Sequence, residues 1–180
     1  MQLPQANPTP MHPCAHCATL QKTCCQTAEI LVTNGDLARI SRHTRLSAEQ
    51  GGFWERRVPV DPEYLDDDAD DPNWKRWTVA ADNTRRVLRK QASGDCMFLG
   101  DRGCILPENV RPIVCRLYPF SYTESGIQGE DAGYCPKSIV APEAPDMVSA
   151  LGMTLDAAER WHSALYDELR TGRESACGSV

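Results

Sequence analysis

Near the C-terminus, Leu155, Ala158, Trp161, His162, Leu165, Tyr166 and Leu169 recur at three- and four-residue intervals. That spacing gathers them on one face and predicts an amphipathic packing helix that starts near Thr154 and ends before Gly172. Upstream, Thr33 and Asp36 have capping-box spacing, with Asp in place of the usual Glu. This predicts a helix through Leu37, Ile40 and Arg42. Ser47 and Gln50 repeat the signal ahead of Phe53 and Trp54. Glu29-Ile30-Leu31-Val32 is a short apolar stretch that either extends as a strand or leads into the next helix.

Between Thr84 and Leu106 the pattern shortens. Val87, Leu88, Met97, Phe98, Leu99, Ile105 and Leu106 lie in brief runs separated by Ser93-Gly94-Asp95 and Gly100-Asp101-Arg102-Gly103. Such runs predict small antiparallel strands joined by glycine turns. Pro107 then opens a short helix carrying Val110, Val114 and Cys115, whose regularity Pro112 limits, and Tyr118-Pro119-Phe120 turns the chain out. The expected fold is α+β: a small single domain with short antiparallel strands, several helices and a cysteine-ligated metal centre.

Proline-rich residues 1–13 read as a flexible arm, residues 14–172 as the cysteine-cluster domain, and residues 173–180 as a polar tail holding Cys177 outside the site. Asp61 to Asp71 reads DPEYLDDDADD. Its acids at 66, 68 and 70 have the spacing of a calcium loop, but Asp71 stands where glycine is needed and Trp77 where glutamate is needed, so a solvated acidic loop is expected.

A net charge of -6 and a pI near 5.2 argue against a general nucleic-acid binder. Arg39, Arg42, Arg45, Arg56 and Arg57 lack interleaved aromatic platforms and read as a solvated face. The first thirteen residues lack the basic start and apolar stretch of a secretory signal, and no apolar run is long enough for a bilayer. We therefore expect a reducing cytoplasm, no membrane, and a protein as partner or substrate. No P-loop or hydrolase motif is present.

Compartment matters because the chain has nine cysteines. Eight form an ordered series: Cys14, Cys17, Cys24 and Cys25, then Cys96, Cys104, Cys115 and Cys135. In a reducing environment spaced thiols read as soft ligands for zinc or iron rather than as disulfides. Cys14 and Cys17 form a C-x2-C knuckle. Adjacent Cys24 and Cys25 share one ion only through a strained small ring, so the pair hints at a cluster or two nearby centres. The wide gaps among the last four require tertiary structure to assemble them, and which thiols share a metal stays open. Arg111 and Arg116 flank Cys115 as candidates to donate hydrogen bonds to sulfur, with pairing to acidic groups as the other outcome. Tyr118 is a further candidate beside the site. His12 and His16 bracket Cys14 as substitute ligands, while His43 and His162 read as structural.

The series Cys14-x2-Cys17-x6-Cys24-Cys25, with Gly94-Asp95-Cys96-Met97-Phe98-Leu99, Gly103-Cys104-Ile105-Leu106, Arg111-Pro112-Ile113-Val114-Cys115-Arg116-Leu117-Tyr118-Pro119-Phe120 and Cys135, resembles the YkgJ-like cysteine-cluster family. The resemblance covers about two thirds of the chain, and its most specific parts are the CC pair and the RPxxCRxYPF segment. That family is described as zinc- or iron-chelating, or as iron-sulfur-cluster-containing, and includes flagellin lysine N-methylases. The resemblance implies metal binding by the eight cysteines. The expected cofactor is an iron-sulfur cluster in a redox, metal-handling or structural role, with structural zinc in two four-cysteine sites as the alternative. A second alternative is an S-adenosylmethionine-dependent protein lysine N-methylase. No glycine-rich strand-to-helix turn is present for that cofactor.

Overall fold

The computed structural model describes residues 12–49, 52–66 and 71–177, with side chains to Gly172. Helix α1 (Pro13–Leu20) begins inside the expected arm: His12 caps it, its Nδ1 accepting the Cys14 N–H at 3.2 Å, and Pro13 fills the first turn, where a missing N–H costs nothing. The rest of the arm lies outside the described residues. Helix α2 (Cys24–Thr27) is a single turn begun by Thr23, whose N–H is accepted by Gln26 at 2.8 Å.

Helix α3 (Asn34–Thr44) starts at the expected capping box. Asp36 N–H donates to Thr33 Oγ1 at 3.0 Å and Thr33 N–H to Asp36 Oδ2 at 3.1 Å. The Glu29 to Val32 segment is extended. Leu88 N–H donates to the Ile30 carbonyl at 2.9 Å and Val32 N–H to the Arg86 carbonyl at 3.1 Å, laying the segment beside a strand.

That strand, β2 (Arg85–Leu88), pairs antiparallel on its other side with β1 (Trp54–Arg57). The Ser47 signal starts no helix through Ser47 to Glu49, and Gln50 lies outside the described residues. Trp54 and its neighbours instead satisfy their backbone in the β1–β2 ladder, a long-range pairing that outweighs the local cap signal. Strands β3 (Leu99–Gly100) and β4 (Gly103–Cys104) form the expected glycine hairpin, with Gly103 at φ 97°, where a side chain is strained. After helix α4 (Trp74–Thr78) and these strands, Pro112 separates a 3-10 turn at Glu108–Val110 from helix α5 (Ile113–Leu117). Strands β5 (Phe120–Thr123) and β6 (Gly126–Glu130) add a hairpin where only an exit turn was expected. Short helices α6 (Lys137–Val140) and α7 (Met147–Ala150) lead to the long helix α8 (Leu155–Cys177).

Helix α8 does not stop before Gly172. It continues to Cys177, so residues 173–177 of the expected tail are helical. Glycine is tolerated there because the helix passes close to α3: a Cβ on Gly172 would lie 3.3 Å from Asn34 Nδ2. Its apolar face buries Ala158, Leu165, Tyr166 and Leu169 against Leu31, Ile113 and Leu117. The acidic stretch is also less solvated than its charge implied. Buried Asp71 accepts the Tyr166 hydroxyl at 2.6 Å, while residues 67–70 lie outside the described residues.

Short antiparallel strands and helices in one small chain make the fold α+β. No described helix is long and apolar enough to cross a membrane. One contact ties these layers to the cysteines. The fully buried Asp36 carboxylate accepts the Ile113 N–H at 3.1 Å and pairs with Arg39 at 2.6 Å, fixing the start of α5 against α3. Burial raises the Asp36 carboxyl above its ordinary value, a shift that Thr33 and Arg39 oppose.

Candidate metal centre

Five stretches of chain carry these eight cysteines, and all eight thiols are free of disulfides. Cys14 and Cys17 lie three apart on α1, on one helical face. Cys24 and Cys25 open α2, Cys96 leads into the β3–β4 hairpin, Cys104 ends β4, Cys115 lies in α5, and Cys135 precedes α6. The Cys96 N–H donates to the Cys25 carbonyl at 2.8 Å, so the two stretches meet through the backbone.

Cys25 is where the constellation gathers. It lies within electrostatic reach of Cys14, Cys24, Cys96, Cys104 and Cys115. A hydrogen bond with Cys24, then burial, pushes the Cys25 thiol far above its ordinary range. Burial raises Cys14 to about 11, with Cys25, Cys135 and Cys17 adding to it and Arg111 opposing. Burial also raises Cys96 to about 11, and raises Cys115 well above normal with help from Cys25, Cys96 and Cys104. Neutral thiols are thus favoured in this packing, and a cation would be needed to hold several of them as thiolates together.

The flanking residues separate into two roles. Arg111 donates its Nε to the Leu106 carbonyl at 3.0 Å and also hydrogen-bonds Cys104, where its charge works against the burial that raises that thiol. Arg116 keeps different company. It lies near Arg39, Asp36 and Glu168 as well as Cys115, with its guanidinium 6.0 Å from the Trp161 ring centre. Tyr118 Oη lies 3.1 Å from Cys135 Sγ, and burial followed by this contact raises the phenol far above normal. His12 stands near Arg111 with Nδ1 engaged in capping α1. Lys90 was missed by the sequence reading. It pairs across a turn with Cys96, donates Nζ to the Gln26 carbonyl at 3.0 Å, and lies within reach of Cys25 and Cys96. Its signal was the Ser93-Gly94-Asp95 turn, which folds residue 90 back beside residue 96.

Eight soft sulfur donors are the right chemistry and count for thiolate-bound zinc or iron. Among the described residues, however, no three His, Cys, Asp or Glu side chains are arranged to hold one metal ion. The convergence is one of neighbouring thiols rather than a closed set of ligands. Two surface cavities lie elsewhere: one of about 340 Å³ beside Lys75 and Arg76, and one of about 220 Å³ beside Asn34 and Glu168. Neither is lined by a cysteine. In comparisons with known proteins, no family model, curated protein or solved structure matches this chain.

Proposed function

We propose that this chain is a cysteine-cluster metal-binding protein, holding an iron-sulfur cluster through Cys14, Cys17, Cys24, Cys25, Cys96, Cys104, Cys115 and Cys135. The observation that carries this reading is the set of eight disulfide-free thiols, distant in sequence, five of which lie within electrostatic reach of Cys25 while Cys17 and Cys135 adjoin Cys14. Burying several thiols as neighbours makes each harder to ionise, and metal binding is the interaction that reverses that preference. The resemblance of the CC pair and the RPxxCRxYPF segment to the YkgJ-like family supports the same chemistry.

The chain's own residues would act around the bound group. Arg111 and Lys90 place positive charge beside Cys104, Cys25 and Cys96, and hydrogen bonding by Arg111 lowers the electron density on sulfur. Tyr118 holds Cys135 through its hydroxyl. When bound, a cluster supplies one-electron chemistry or a rigid hub for the fold. We place that work in a reducing cytoplasm with a protein partner. Zinc is the second reading, because eight thiols also suit two four-thiolate sites.

Anaerobic purification followed by iron, zinc and acid-labile sulfide analysis, with a visible spectrum, tests both. Iron matched by sulfide in a brown protein supports the cluster. Stoichiometric zinc without sulfide replaces it with the zinc reading, and absence of stoichiometric metal overturns both.

A further inference from the structure

Chemistry that needs only two sulfurs asks less of the fold than a closed set of ligands, and one pair of thiols supplies it. Cys24 and Cys25 are adjacent at the start of α2, their thiols hydrogen-bond one another, and neither is in a disulfide. Both residues are partly exposed, whereas Cys17 and Cys96 are buried. A small oxidant in solvent therefore meets this pair before it meets those two.

The turn that carries the pair also holds two distant groups. The Cys25 carbonyl accepts the Cys96 N–H at 2.8 Å, and the Gln26 carbonyl accepts Lys90 Nζ at 3.0 Å. Consecutive Cα atoms are about 3.8 Å apart, closer than the about 4.4–6.8 Å that disulfides usually span. An S–S bond between neighbours thus closes a small, strained ring around their shared peptide and pulls the turn out of helical geometry. Strain makes such a bond easy to reduce, which is the property of labile and regulatory disulfides rather than structural ones.

We propose that Cys24 and Cys25 form a redox site that hydrogen peroxide oxidises reversibly to a vicinal disulfide, and that closing the ring loosens the α2 turn from Cys96 and Lys90. One sulfur attacks the peroxide O–O bond, which breaks as an S–O bond forms, and a first water leaves. The other sulfur attacks the resulting sulfenic acid; the S–S bond forms, the S–O bond breaks, and a second water leaves. Both thiol protons end in the waters, and two electrons pass from the pair to the peroxide. Thiol–disulfide exchange with an added dithiol returns the two thiols. The site needs no bound metal and goes beyond the metal-binding reading.

The test treats the full chain, purified anaerobically, with hydrogen peroxide, alkylates it under denaturing conditions and cleaves it with trypsin. Cleavage after Lys22 and Arg39 isolates Cys24 and Cys25 from every other cysteine, in the peptide from Thr23 to Arg39. That peptide should emerge unalkylated and two hydrogen atoms lighter, and dithiothreitol added before alkylation should return both thiols. Two alkylated cysteines after peroxide, a sulfinic or sulfonic acid in the peptide, or a disulfide joining it to another peptide overturns the proposal. Of Cys24→Ser and Cys25→Ser, the variant that keeps the attacking sulfur lacks its resolving partner and should yield a sulfenic acid that dimedone traps. Trapping in neither variant overturns the proposal, and where a variant does not fold the wild-type peptide map decides alone.

Discussion

Replacing Glu29 by glutamine tests the brace that holds the chain after the vicinal cysteines. Glu29 Oε2 accepts Arg85 Nη2 at 2.8 Å and the Val60 N–H at 3.1 Å, and Arg57 Nε lies 3.0 Å from Oε1. The Arg85 side chain is only 2% exposed and stacks on Tyr64 at 3.8 Å, and among the described residues its ion pair is with Glu29. Removing one partner of a buried pair costs about 3–5 kcal/mol, because the other charge stays desolvated. Alanine at position 29 should therefore cost about 4 kcal/mol. Glutamine keeps a neutral acceptor for Arg85 and should cost about 2 kcal/mol, the scale of a hydrogen bond to a charged group.

For a domain of this size about 2 kcal/mol lowers the thermal midpoint by about 4–8 °C, and urea melts give the energy directly. Acidity supplies a second check. Burial opposes ionisation of Glu29, but the Arg85 hydrogen bond, the Val60 N–H and the charges of Arg85 and Arg57 outweigh it and hold the carboxyl below 4.5. A depressed folded value contributes stability that is present above the ordinary value and lost as pH falls through the folded one. The gap between wild type and Glu29→Gln should thus be full at pH 7 and close on acidification below about 4.5. A cost under about 0.5 kcal/mol at pH 7, or no coupling between Glu29→Gln and Arg85→Met in a double-mutant cycle, would refute the brace.

Three further outcomes follow from particular contacts. Arg111→Met should weaken metal retention about 10–100-fold in a chelator competition, whereas Arg116→Met, which makes no hydrogen bond to a thiol among the described residues, should weaken it less than about 3-fold. Gly103→Ala should lower stability by about 1–2 kcal/mol in a urea melt, because φ is 97° there, while Gly133→Ala, where a Cβ meets nothing closer than 3.8 Å, should be nearly neutral. Tyr166→Phe removes the donor to Asp71, whose other oxygen has no partner among the described residues, and should cost about 1–3 kcal/mol by the same assay.

Local signals in the sequence carried local structure. The Thr33–Asp36 box marks the start of α3, because a cap is satisfied within four residues, and the repeat from Leu155 to Leu169 marks α8, because burial of one face needs only a 3.6-residue period. The small glycine hairpin beside Cys104 is legible for the same reason, and the eight-cysteine series is plain as composition and spacing. Where α8 ends was not legible, since Gly172 is tolerated through its close approach to Asn34 across the fold.

Neighbours distant in the chain were decided by tertiary structure alone. Pairing of Trp54–Arg57 with Arg85–Leu88 leaves no trace in either segment, and the burial of Asp71 depends on a tyrosine 95 positions away. Arg111 and Arg116 both flank Cys115 in sequence, yet α5 and its anchor on Asp36 set Arg111 beside Cys104 and Arg116 among Arg39, Asp36 and Glu168. The thiols follow the same rule. Sequence by itself determined that eight soft donors are present and that two are adjacent. Only the folded chain decided which donors are neighbours, because closing long loops around a core, rather than spacing along the chain, sets which side chains meet.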